Sequence, residues 1–235
     1  MQKLDSHSVR KRDTRVQLIL AAERLFAERS IEGVSLREIN LAANQRNTSA
    51  AHYYFGSKDA LIDAIFELRR GEIGSRRDAL LERMEADGHA DPRALAEALI
   101  VPIANDPRKG PAEGGRYYLE FVAQVLVTTP AQAGALMRKH MQGASVRWGV
   151  MATKSLPEVP HGILMTRSLL MARHAVMSLA AYNKAGWHVD DYLAFDAYLS
   201  DMIDAAAGYL SASVSERTLE LTRLRSGDTV SGNGG

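Results

Sequence analysis

The chain has 235 residues, 46% of them apolar, no cysteine and a formal net charge of +1. That much apolar material supports a sizeable core, while the missing thiols exclude disulfides and thiolate metal sites. No apolar run approaches the ~18 residues of a spanning helix and no signal-like segment opens the chain, so a soluble, cytoplasmic protein without membrane association is expected.

The charge is unevenly spread. The first sixty residues carry ten lysines and arginines against seven acidic residues, and the remainder is mildly acidic. A basic head on an acidic body is compatible with a nucleic-acid-binding end. Residues 1–12 are polar, and Arg10-Lys11-Arg12 with Arg15 read either as a solvated terminus or as an arm that follows phosphates. A first helix is predicted from about Thr14 to Arg29, with Leu18, Ala22, Leu25 and Phe26 on its inner stripe.

The stretch from Ser35 to Lys58, SLREINLAANQRNTSAAHYYFGSK, reads as a helix-turn-helix. Ser35 with Glu38 forms a capping box, and Leu36, Ile39, Leu41 and Ala42 give the short helix its apolar surface. Asn44-Gln45-Arg46-Asn47 stops it, because asparagine tolerates left-handed backbone angles. Asn47 or Thr48 caps a second helix reaching about Tyr54, whose small Ala50 and Ala51 allow close approach to a neighbour or a groove floor. A short helix with a polar front fits the major groove, so Gln45, Arg46, Asn47, Thr48, Ser49 and His52 are candidates for contacts at or near base edges. Ser35 and Arg37 are candidates for phosphate contact.

Ser57 caps a long helix predicted to reach about Met84. Leu61, Ile65 and Leu68 form its stripe, and Arg69-Arg70 and Arg76-Arg77 read as a solvated face. Asp91-Pro92 starts a helix that Pro102 ends or kinks. Residues 105–115, NDPRKGPAEGG, read as a loop, and 116–128 as a buried helix. Another helix opens at Pro130 and carries Leu136, Met137, His140, Met141, Val146 and Trp148. Leu156-Pro157-Glu158-Val159-Pro160 breaks the chain before two last helices, about 161–184 and 189–213. The first of them mixes Leu164, Met171 and Met177 with small residues, and in the final one Tyr192, Phe195, Leu199, Met202 and Ala206 step by three and four; two such faces suit either a dimer interface formed with their copies or burial within the subunit. From about Glu216 the composition predicts a disordered tail.

Catalytic spacings are missing from the sequence: it has no HExxH, GxSxG, P-loop or strand-linked GxGxxG, and Pro160 interrupts the single ExxH, Glu158 to His161. No catalytic residues, metal site or cofactor are therefore expected. Tyr117, Tyr118, Phe121, Trp148, Met151, Met171, His174 and Met177 are either core or the wall of an apolar ligand pocket. Arg116, Arg147 and Arg173 are the cations available to meet an anionic ligand end there.

The segment TRVQLILAAERLFAERSIEGVSLREINLAA, followed by HYYFGSKDALIDA, resembles the TetR family of one-component transcriptional regulators. LFAERS, VSLREINLAA and YYFGSKDAL match family motifs in order, over about a quarter of the chain. The turn departs: AANQRNTSAAHYYF is about one residue longer than the family's AAGVSKGALYYHF, and Asn44 replaces its glycine. The resemblance implies an all-α protein with two modules. Residues 1–56 would be a three-helix DNA-binding domain with its helix-turn-helix at about 35–55. Residues 57–215 would be a helical effector-binding and dimerisation domain. It also adds Tyr53 and Lys58 to the phosphate contacts. The function implied is a homodimeric repressor, released from a double-stranded, pseudo-palindromic operator by a small apolar effector. The competing classes are an α-helical lipophilic-ligand-binding protein without DNA binding, and a cofactor-free helical enzyme.

Overall fold

The computed structural model describes residues 6–88, 90–104, 117–128, 139, 146–185 and 194–226. Among these, every regular element is helical. Helix α1 (Ser6–Arg29) starts ahead of Thr14, since SHSVRKRD holds neither glycine nor proline to stop it. Then come α2 (Leu36–Ala42), α3 (Ala50–Phe55) and the long α4 (Lys58–Ala86). Helix α5 (Pro92–Ile100) passes into a 3₁₀ turn at Val101–Ile103, where Pro102 ends the α-helical hydrogen bonding as expected. Helices α6 (Tyr118–Thr128), α7 (146–155), α8 (His161–Ala185), α9 (Phe195–Ser211) and α10 (Glu216–Ser226) complete the chain.

The head formed by α1–α3 shares its core with the body. Leu18, Ile19, Ala22 and Phe26 of α1 are buried, and α1 lies against α6. The Phe26 ring stacks on Phe121 at 6.2 Å, and Phe66 of α4 meets Phe121 at 5.5 Å and Tyr118 at 6.0 Å. Each such pair adds about 0.5–1.5 kcal/mol beyond burial. The periodic residues of α6 (Tyr118, Leu119, Phe121, Val122, Val125, Leu126) are buried, as their spacing predicts.

Three expectations are corrected. Phe195, Met202 and Ala206 are buried within the subunit and Leu199 is half-buried, because the apolar face of α9 turns onto α5 and α8. The Phe195 ring meets Tyr182 of α8 at 5.5 Å. Arg69 and Arg77, read as solvated, are buried, whereas their neighbours Arg70 and Arg76 make exposed ion pairs with Glu67 and Glu72. Finally, residues 216–226 are helical: Ser215 caps them by accepting from the Thr218 N–H at 3.3 Å. Tyr192, Arg116, the 105–115 loop, residues 130–138 and 140–145 of the helix expected from Pro130 through Trp148, the side chains of residues 1–12 and residues 227–235 lie outside the described residues.

Arg167 fixes the antiparallel pairing of α8 and α9. Its guanidinium donates to the carbonyls of Leu210 and Ala212, two of the acceptors that a helix C-terminus leaves unpaired.

Candidate functional site

The capping box at α2 forms as the sequence predicts. Ser35 Oγ accepts from the Glu38 N–H at 3.2 Å, and Glu38 Oε2 accepts from the Ser35 N–H at 2.8 Å. The Ser35 backbone N–H, then its hydroxyl, then Arg29 hold the Glu38 carboxyl down at about 2. Asn44 takes up a φ of +52°, the left-handed angle that suits it in the turn.

Helix α3 begins at Ala50, later than expected, and its own N-cap residue, Ser49, makes no side-chain cap. Asn47 Oδ1 accepts from the Ser49 N–H at 2.9 Å, closing an Asx turn before the helix. The capping role passes to Asn40 of α2, whose side chain is fully buried. Its Oδ1 accepts from the Ala51 N–H at 2.8 Å, and its Nδ2 donates to the Thr48 carbonyl. One amide thus joins α2 to α3 across the turn. Ala50 and Ala51 form the sealed back of α3, which identifies the close approach that their size allows as one to the head itself.

The front of the motif is open. Arg46, Asn47, Thr48, Ser49 and His52 are exposed, Gln45 is half-buried, and Tyr53 is 72% exposed. The Tyr53 ring stands edge-on to Tyr54 at 5.3 Å. Arg37 and Arg46 are exposed cations that make no ion pair among the described residues. Ser35 is exposed, but its hydroxyl is engaged in the capping box. Lys58 is half-buried, and its ammonium donates to the carbonyls of Ile31 at 3.0 Å and Glu32 at 3.2 Å, tying the start of α4 to the α1–α2 connection. Leu41, expected on the apolar face of α2, is 61% exposed. Sequence reasoning missed Asn40. The available signal was its place in LREINLAA, where the family pattern has alanine.

A cavity of about 500 Å³ lies in the body between α4, α5, α6, α7 and α8. Phe66, Leu99, Tyr118, Leu119, Val122 and Val176 are among its apolar walls, and Arg70, Arg77, Asp78 and Arg147 supply charge. Of the residues expected to line a pocket, it gathers Tyr118. Phe121 is in the aromatic core, and Trp148 is buried with its Nε1 donating to the Leu95 carbonyl at 2.9 Å. Met151 belongs to a separate groove with Met84 and Val150, Met171 is buried, and Tyr117 is half-buried. His174 and Met177 are exposed on the outside of α8, so they are surface residues instead. Among the described residues no three metal-ligating side chains converge, and no helix is long and apolar enough to cross a membrane.

Residues 18–65, from the middle of α1 into α4, match the model of the family described as bacterial regulatory proteins, tetR family. No curated protein matches the chain. Among solved structures, it aligns with a Rhodococcus sp. protein described as a TetR-family transcriptional regulator at a TM-score of 0.51. Identity is 12%, over 85% of this chain and 100% of that one. A Mesorhizobium loti protein of the same description gives 0.49 at 15% identity, covering 88% and 98% of the two chains. The TetR-family regulator PfmR from Thermus thermophilus gives 0.48 at 16% identity, covering 85% and 96%. The first of these indicates a shared fold. The match is seated on the helix-turn-helix, so residues 18–65 of the chain are similar to the tetR family of bacterial regulatory proteins.

Proposed function

We propose that the protein is a homodimeric transcriptional repressor that leaves a pseudo-palindromic operator when a small apolar effector fills the body cavity. The observation that carries this reading is the two-sided build of α3 and its turn. Ala51 and the Thr48 carbonyl are locked to the head through Asn40, Ala50 is buried beside them, and the Arg46, Asn47, Thr48, Ser49 and His52 side chains are exposed. Those five, with Gln45, are the candidates for base-edge contacts, and Arg37, Tyr53 and Lys58 for phosphates; Lys58 has a third ammonium proton to offer. Phosphates supply most of the affinity, and bases the choice of site.

Helix α4 links the two activities. Its first turn is bonded to the head through Lys58, and further along it Phe66, Arg70 and Arg77 border the cavity. A ligand that fits the cavity best when α4 is displaced therefore favours a different head separation. A coupling of about 1–3 kcal/mol changes operator affinity 5–150-fold. For the dimer surface, the exposed face of α8 replaces the α9 seam: Leu169, Leu170 and Met177 are 53%, 48% and 44% exposed. Two heads brought together there would present α3 helices about 34–36 Å apart, or a multiple of that, to successive major grooves.

The test is a fluorescence-anisotropy titration on DNA flanking the protein's own gene, across a salt series, with and without a lipophilic cell fraction. Saturable binding that falls steeply with salt and is relieved by the fraction is expected. The cavity favours a second reading, a lipophilic-ligand carrier, and absence of duplex binding at low salt would select it. In the same assay Lys58→Ala is expected to flatten the salt slope by about 0.9. An unchanged slope with a lowered melting temperature would assign Lys58 to the fold alone.

A further inference from the structure

We infer that the body cavity selects an amphiphile with a carboxylate head, held by Arg77, and an apolar tail laid along Leu99, Leu119 and Val122. This rests on reading the cavity as the effector pocket. Arg77 is only 5% exposed, and among the described residues the one hydrogen bond it makes is from Nε to the Ala98 carbonyl, at 3.2 Å. A guanidinium has five donors and stays charged in proteins. Earlier on the same helix, Arg69 is buried too, but it has the forked pairing that such burial calls for: Nε and Nη2 donate to the two oxygens of Glu23 at 2.8 and 2.7 Å. Arg77 lines the cavity instead of facing a carboxylate of that kind.

The other cations on the wall are occupied. Arg147 donates to Asp78 at 3.0 Å and Glu85 at 2.9 Å, and Arg70 to Glu67 at 2.8 Å. Burial draws the Arg77 guanidinium below its ordinary value, with Asp78 acting the other way, as expected of a cation short of a partner. Tyr118, also on the wall, is buried; burial and then Glu23 push its phenol up, so it stays protonated and able to donate to an anion. Two glycines, Gly71 and Gly74, lie in α4 where it borders the cavity, and a Cβ at either would meet nothing within 4 Å. Each costs the helix about 1 kcal/mol relative to alanine, and both leave the space open. A volume near 500 Å³ is in the range of small-molecule sites.

The experiment is calorimetric titration of the full-length protein with dodecanoate, dodecanol and dodecylamine, and with their octyl and hexadecyl counterparts, below the micellar range. The carboxylate is expected to bind about tenfold or more tighter than the alcohol, with the amine weakest. Arg77→Met should bring acid and alcohol to equal affinity while keeping the alcohol's own, and Arg77→Lys should retain the preference for the acid. Independently of any variant, the carboxyl of bound carbon-13-labelled dodecanoate should titrate below the free acid. Equal affinities in the wild type, a preference that survives in a folded Arg77→Met, or an unshifted titration would overturn the inference; so would no saturable binding by any compound. Operator release, read in parallel, separates the two ideas. Tight carboxylate binding that leaves the operator complex intact sinks the effector reading and sustains the charge preference. Release by acid and alcohol alike does the reverse.

Discussion

Asn40 is a single side chain on which the geometry of the recognition element depends. Its partners are eight and eleven residues further on, across the turn. The local caps, Ser35 with Glu38, Ser57 and Asp91, were legible because donor and acceptor are three residues apart and chemistry alone pairs them. Asn40 was not, because a polar residue in a short helix gives no sign of which distant backbone groups will need it. Replacing it by alanine leaves the buried Ala51 N–H without that acceptor and the Thr48 carbonyl without that donor, an expected loss of about 1–3 kcal/mol. Asn40→Asp should cost more, since a carboxylate cannot donate to the Thr48 carbonyl. Denaturant unfolding orders the three proteins, and operator titration should show both variants weakened even where the head remains folded. An alanine variant as stable as wild type would contradict the clamp.

Among the elements, α2 and α4 carry separate electrostatic tests. The folded-state pKa of Glu38 is depressed from an ordinary 4.5 to about 2, so its contribution is present above about 4.5 and is lost as pH falls towards 2. A carbon-13 titration should place the carboxyl midpoint near 2, and Glu38→Gln should flatten the stability profile in that window. A midpoint near 4.5 would mean that the capping box does not persist in solution. In α4, the buried Arg69–Glu23 pair joins body to head. Arg69→Met strands the Glu23 carboxylate and should cost about 3–5 kcal/mol, whereas Glu23→Leu with Arg69→Met should recover most of it. A thermal-melt cycle over the four proteins measures this, and a double variant no better than the single would point to packing instead. Arg69 and Arg77 were misread because arginine pairs on a long helix resemble a solvated face until a neighbouring helix arrives to cover one member.

At the scale of the whole molecule, the proposed dimer turns on which apolar face is left uncovered. The step of three and four in α9 correctly announced an apolar seam, but a seam does not name its neighbour, and α5 and α8 of the same subunit claim it. The exposed leucines of α8 were less conspicuous in sequence, since Leu169 and Leu170 share their helix with the equally apolar but buried Leu164, Met171 and Leu179. Leu170→Glu should therefore give a folded monomer in sedimentation analysis and lose operator binding. Met202→Glu, which buries an unpaired charge, should lower the melting temperature sharply. A Leu170→Glu protein that remains dimeric would move the interface elsewhere. Sequence alone determined the helical class, the caps that start α2, α4 and α5 and the helix-turn-helix with its outward polar front, because these are set by contacts a few residues long. Tertiary structure decided which arginines are buried, which face of α9 is core, how α2 holds α3 and where the cavity opens. Those outcomes depend on which surfaces distant helices bring together, and periodicity along one helix carries no record of its partner.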